Sequence, residues 1–174
     1  MTPTAASPTT TGRAWRLPAD VDTDQLAPGQ AMKHGIEVVA RHCLQGLRPD
    51  FAGGVRRGDV IVAGPGFGIG CSREQAASVL VHLGLAAVVA PSYAGLYFRN
   101  AFNVGLLLLT CPDAAALADG EPLAVDIHDA SAPAVLRADG TRLPCAPLPP
   151  FLLDRVRAGG LLNELKQRFA RPPA

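Results

Sequence analysis

The chain has 174 residues, a formal net charge of +1, a hydrophobic fraction of 48% and a charged fraction of 18%. The length fits one domain, the apolar content is too high for a disordered chain, and near-neutrality excludes a nucleic-acid binder working through a strong positive field. The thin coat of charge, with 18 Gly and 16 Pro, describes a loop-punctuated domain, part of whose surface meets a partner.

The first residues, Met1 to Gly12, are mostly Thr, Ala, Pro and Ser. They lack the apolar run and basic flank of a signal peptide and read as a flexible tail. The expected division is a tail over 1–14, one domain over 15–170 and a short tail over 171–174. Glu37 to Leu47 reads as a helix with Val38, Val39, Cys43 and Leu44 inward. The β-branched run Val60-Ile61-Val62-Ala63 predicts a buried strand. After Gly64, Gly66, Gly68 and Gly70, Ser72 is placed as a helix N-cap with Gln75 three residues on, the spacing of a capping box. Ala76, Ala77, Val79, Leu80 and Leu83 form the apolar face of that helix, and Gly84 ends it.

Leu85 to Ala90 predicts a second strand, Ser92 the cap of a helix over 93–103, and Leu106 to Leu109 a third strand. Strand, helix, strand, helix, strand implies parallel pairing with right-handed crossovers. Leu123 to His128 alternates as a strand. Residues 134–143 form a hairpin turning at Asp139-Gly140, and Pro150 to Phe169 is helical with a break at Gly159-Gly160. The longest apolar run, Val104 to Thr110, is too short to span a bilayer. No membrane association and a cytoplasmic location are expected.

None of the four cysteines, Cys43, Cys71, Cys111 and Cys145, belongs to a C-x-x-C pair. A metal site built by this chain alone is not expected, and at least three of the four read as small apolar residues. The glycine loop fails as a nucleotide motif. A G-x-G-x-x-G frame puts Ile69 or Cys71 where the third glycine belongs, and no Lys provides a P-loop ending. What remains is flexible backbone entering a helix N-terminus, with Arg73 placed in the first turn, where a cation opposes the helix dipole. Two readings stand for Arg73: a bidentate grip on a carboxylate, or a pair with Glu74 or a nearby acid. Two stand for Cys71: a thiolate base or nucleophile, or a small buried turn residue.

Five segments occur in order: Val21-Asp22-Thr23-Asp24-Gln25, residues 58–64, Gly68-Ile69-Gly70-Cys71-Ser72-Arg73-Glu74-Gln75-Ala76, Ser92-Tyr93 and residues 98–106. This series resembles the small subunit of 3-isopropylmalate dehydratase and homoaconitase, equivalent to the swivelling domain of aconitase. The resemblance covers about residues 16–165. It implies an α/β fold, a swivelling β/β/α barrel-like single domain with a parallel βαβαβ core. It also implies a large-subunit partner that carries a [4Fe-4S] cluster through its own cysteines. The implied reaction is reversible dehydration and rehydration of a small hydroxy-acid carrying two or three carboxylates, as a hydro-lyase active only with the large subunit.

Residue by residue, the family's Gly-Ser-Ser-Arg-Glu motif places its general base at Cys71, its second serine at Ser72 and its substrate-carboxylate arginine at Arg73. Thr23 and Asp24 match a motif at the active-site rim, with Asp24 organising hydrogen bonds or proton transfer. Cys71 departs from the family serine; a free thiol, with a pKa of about 8.5, is a more available base than an alkoxide. The substrate-sorting loop matches Ala31-Met32-Lys33-His34-Gly35, with Lys33 near the position where homoaconitases present an arginine. Two readings stand for Lys33: with Gln75, which resembles fungal homoaconitases, it points to an acidic substituent on the substrate, or it is a solvated loop lysine; His34 beside it is carried as a substrate-binding residue. Two other classes stay open: a non-catalytic accessory subunit, and a stand-alone cysteine enzyme needing His34, His42 or His128 beside Cys71.

Overall fold

A computed structural model describes residues 11–170. In chain order the strands are β1 (Thr11–Arg16), β2 (Val60–Val62), β3 (Ala87–Ala90), β4 (Leu108–Thr110), β5 (Pro122–Asp126), β6 (Ala134–Arg137) and β7 (Arg142–Pro144). The α-helices are α1 (Thr23–Leu26), α2 (Ile36–His42), α3 (Phe51–Gly54), α4 (Gln75–His82), α5 (Gly95–Asn103), α6 (Pro150–Ala158) and α7 (Leu161–Ala170), with a 3-10 turn over Ala31–His34 and another over Ala114–Ala116.

One sheet runs β4-β3-β2-β1-β5-β6-β7. The first four strands are parallel, registered through Ala14 with Val60, Val60 with Ala87 and Val88 with Leu108. The rest form an antiparallel meander attached to β1 through β5. The sheet curls into a half-barrel because the chain beyond β7 returns to β4: Ala146 N donates to Thr110 O at 2.8 Å. The two central parallel strands, β2 and β3, are buried on both faces, which is why Val60-Ile61-Val62 and Ala87-Val88-Val89-Ala90 read as unbroken apolar runs.

β1 corrects the expected division, since residues 11–14 of the expected tail are strand. The remainder of that tail, and the tail over 171–174, lie outside the described residues. β1 is held by a clasp around Trp15. The indole Nε1 donates to Asp59 Oδ2 at 2.8 Å, and the same carboxylate accepts from the backbone N–H groups of Arg13 and Arg56, both at 2.9 Å. The guanidinium carbons of Arg13 and Arg48 lie 4.4 and 4.9 Å from the ring centroid, and Phe51 meets the indole edge-on at 5.1 Å. Burial alone would raise the Asp59 carboxyl; the three donors and the Arg13 charge outweigh it and hold the group below the ordinary carboxylate range.

The hairpin, the helix break at Gly159-Gly160 and the left-handed glycine stop at Gly84 all form as the sequence indicates. Two helix starts do not. α4 begins at Gln75 with no side-chain cap, so Ser72 is not its N-cap and Arg73 lies before the helix. Arg73 N donates back to Cys71 O at 2.8 Å, and this tight turn keeps residues 71–73 out of helical conformation. α5 begins at Gly95, because the Ser92 hydroxyl accepts from Gly66 N instead of capping. The capping box that does form is Asp22 with Gln25, on the four-residue α1.

Candidate active site at the strand ends

The carboxyl ends of β1, β2 and β3 lie side by side, and the loops leaving them form the site, as open parallel sheets generally arrange it. The glycine loop after β2 runs between the other two. Gly68 N donates to Val21 O at 2.8 Å and Thr23 N to Ile69 O at 2.9 Å, while Phe67 N donates to Ser92 O at 3.2 Å on the other side. Its glycines serve close packing. Gly68 has φ +83° and sits against the ring of Tyr97, where a Cβ would collide; Gly70, φ +99°, would place one 2.7 Å from Asp22 Oδ1.

Thr23, Cys71, Ser72 and Arg73 come together around a cavity of about 190 Å³, closed on its far side by the start of α5 and by Asn100. Thr23 is buried, and its hydroxyl donates to Cys71 O at 3.1 Å. Arg73 pairs with Asp24, the nearby acid that one reading of the sequence allowed, and its Nη1 also reaches Ala27 O at 3.5 Å. Asn100 Nδ2 donates to Ser72 Oγ at 3.4 Å. Cys71 is exposed, whereas Cys43, Cys111 and Cys145 are buried in the core as small apolar residues. Burial pushes the Cys43 thiol up to about 12, which leaves it inert near neutral pH.

Asp24 also faces a second cavity of about 800 Å³, bounded by α1, the 3-10 turn and α2 and lined in part by His34 and His42. Arg73 belongs to the smaller cavity and Asp24 to the larger, so their ion pair stands where the two approach. Lys33 is exposed and lines neither cavity. No histidine lines the Cys71 cavity: His34 faces the larger one, and His42 Nδ1 is paired with Gln45 Oε1 at 2.7 Å. Among the described residues no three His, Cys, Asp or Glu groups lie close enough to hold a metal ion, and no helix is long and apolar enough to cross a membrane.

Sequence reasoning named Thr23, Asp24, Cys71, Ser72 and Arg73 as one site and missed Asn100 and Tyr97. Both stand on the predicted second helix, spaced three residues apart on one face; that spacing was the available signal.

The family model of the aconitase C-terminal domain matches residues 50–114. Small subunit 1 of 3-isopropylmalate dehydratase from Archaeoglobus fulgidus is 40% identical over 156 residues, covering 89% of this chain and 96% of that protein. The methanogen homoaconitase small subunit of Methanothermobacter thermautotrophicus is 37% identical over 153 residues, covering 87% and 88%. A crystal structure of 3-isopropylmalate dehydratase from Methanocaldococcus jannaschii superposes with a TM-score of 0.85 at 34% identity, covering 93% of this chain and 96% of that one.

Proposed function

The chain belongs to the family of 3-isopropylmalate dehydratase and homoaconitase small subunits, and from that premise we propose that it supplies one half of the active site of a two-subunit hydro-lyase. The substrate is a small hydroxy-acid with two or three carboxylates, whose hydroxyl shifts to the neighbouring carbon through an alkene. The observation that carries this reading is the convergence of Thr23, Cys71, Ser72 and Arg73 on one cavity at the strand ends.

Each residue has a task there. Cys71, exposed at the cavity, is the general base that removes the proton alpha to a carboxylate and returns it in the reverse direction. Arg73 grips that carboxylate. Asp24 is its present partner, and with the Asp24 side chain 60% exposed the pair is one that an incoming carboxylate can replace. Ser72 donates its hydroxyl proton to charge developing on the substrate. Thr23 holds the Cys71 carbonyl and so fixes the turn. On the 3-10 turn His34 lines the larger cavity beside Asp24 and Lys33 stands exposed outside both cavities; the basic side chains of that turn favour an acidic substituent over an isopropyl group.

The partner is a large subunit bearing a [4Fe-4S] cluster, whose open iron supplies Lewis-acid activation of the substrate hydroxyl. The complex works in the cytoplasm. A stand-alone cysteine mechanism lacks its base, since no histidine lines the Cys71 cavity.

The test is the assembled complex with Cys71→Ala, assayed on an isopropylmalate-like and a homoaconitate-like substrate. The variant is expected to lose at least about 100-fold in kcat, and the unaltered complex to prefer the acidic substrate. Full activity of Cys71→Ala would reduce the chain to an accessory subunit. Clear preference for isopropylmalate would overturn the roles given to Lys33 and His34.

A further inference from the structure

The turn Cys71-Ser72-Arg73 is anchored by three side chains, one to each residue. Thr23 Oγ1 donates to Cys71 O, Asp24 pairs with Arg73, and Asn100 Nδ2 donates to Ser72 Oγ. The first two anchors come from α1. The third comes from α5, on the opposite side of the cavity.

Asn100 is not needed to seat α5. That helix is fixed by buried Tyr97, Ala101 and Phe102, by the Tyr97 hydroxyl donating to Ala76 O at 3.2 Å, and by Arg155 Nη1 donating to Asn103 Oδ1 at 3.0 Å. The Asn100 amide instead faces the cavity, one turn beyond Leu96 and three residues beyond Tyr97, both of which line it.

We propose that Asn100 is a positioning residue for Ser72: its amide N–H occupies a lone pair of Ser72 Oγ and so directs the Ser72 hydroxyl proton into the cavity. A hydroxyl has one proton and two lone pairs. With no donor beside it, the hydroxyl rotates freely and can turn its proton away. With Asn100 donating, the proton is left for the anion in the cavity. Asn100 itself touches no reacting atom. The inference rests on the role given to Ser72 above, and its test can fail while that role stands.

The experiment is a double-mutant cycle between Asn100 and Ser72, read in two ways. In the assembled complex, Asn100→Ala is expected to lower kcat about fivefold, with KM little changed. In the Ser72→Ala background the same change should cost less than about twofold, because the group it positions is gone. The second reading needs no large subunit. Cys71 in the full chain is alkylated by iodoacetate and by iodoacetamide, and the ratio of the two rates reports how well the cavity receives a carboxylate. Asn100→Ala should lower that ratio with Ser72 present and leave it unchanged with Ser72→Ala.

Asn100→Asp tests the direction of the bond. It keeps the shape but offers an acceptor, to which the Ser72 hydroxyl would donate, so it should fall below Asn100→Ala with Ser72 present. In the Ser72→Ala background the gap should shrink to what the added charge alone causes. Equal losses in both backgrounds would make Asn100 merely structural and overturn the proposal, and Asn100→Asp matching or exceeding Asn100→Ala would overturn its direction. Loss of activity in Ser72→Ala, with additive alkylation ratios, would keep the function and reject Asn100.

Discussion

Two arginine–aspartate arrangements in this molecule use the same chemistry to opposite ends. At β1, Arg13 and Arg48 stack over Trp15, Asp59 collects three neutral donors beneath them, and Arg48 is bidentate to Asp50 while also reaching Asp119 at 2.9 Å. Asp59 is buried and has several partners, so it cannot leave alone, whereas Asp50 on the rim has Arg48 alone. At the strand ends, Arg73 has one carboxylate partner, Asp24, in an exposed pair beside a cavity. What separates the structural Asp59 from the exchangeable Asp24 is the number of partners and the access of water, not the residue type.

The largest expected effect lies in the clasp. Asp59→Ala leaves the Trp15 indole N–H and two backbone N–H groups without their acceptor, and should cost about 3–5 kcal/mol in denaturant unfolding. A loss below about 1 kcal/mol would break the contrast, because the clasp would then be no firmer than the exposed pair. The clasp also sets a pH dependence. The folded Asp59 carboxyl is held below its unfolded value, so its stabilisation is present above about pH 4 and is lost as pH falls through the folded pKa. Asp119, lowered first by its bond from Arg48, behaves the same way. Unfolding free energy should therefore drop from pH 5 toward pH 3, and the drop should be shallower in Asp59→Asn.

Next comes Arg73→Lys in the assembled complex. A point charge replaces a planar fork, and kcat/KM should fall about 10- to 100-fold, while the melting temperature stays within a few degrees of the parent. An equal loss of activity and stability would show that Arg73 belongs with the clasp arginines after all.

The same contrast explains what could be read from the chain. β2 and β3 were legible because strands buried on both faces are apolar at every position, and β4 because Leu108-Leu109 continue the apolar run before Thr110. β1 was not. Thr11-Gly12-Arg13-Ala14-Trp15-Arg16 carries two arginines and a glycine, and it is a strand because distant β2 and β5 pair with it and Asp59 receives its indole. The capping box shows the limit of spacing rules. Ser72 and Gln75 have the right separation, yet the turn held by Thr23 and Asp24 overrides it, and Asp22 with Gln25 forms the box instead. Thr23, Asp24 and Cys71 to Arg73 were named together through the order of motifs; no periodicity links residues 48 apart, and the contact arises from the pairing of Asp22 with Ile69. Lys33 matched the substrate loop by position, but the 3-10 turn leaves it exposed and outside both cavities.

The smallest expected effect is the sharpest for the comparison. Asp24→Asn removes the charge from the Arg73 pair but keeps the side chain's size and the backbone bond from Asp24 N to Asp22 Oδ1 at 2.7 Å that starts α1. An exposed pair of this kind contributes about 0–1 kcal/mol, so unfolding free energy should change by less than about 1 kcal/mol, and added salt should erase the difference. Freed of its partner, Arg73 should still accept a carboxylate, and KM in the assembled complex should rise no more than about threefold. A stability loss above about 2 kcal/mol would mean that the pair holds the turn as Asp59 holds β1. The exchange of Asp24 for a substrate carboxylate would then be too costly to serve catalysis.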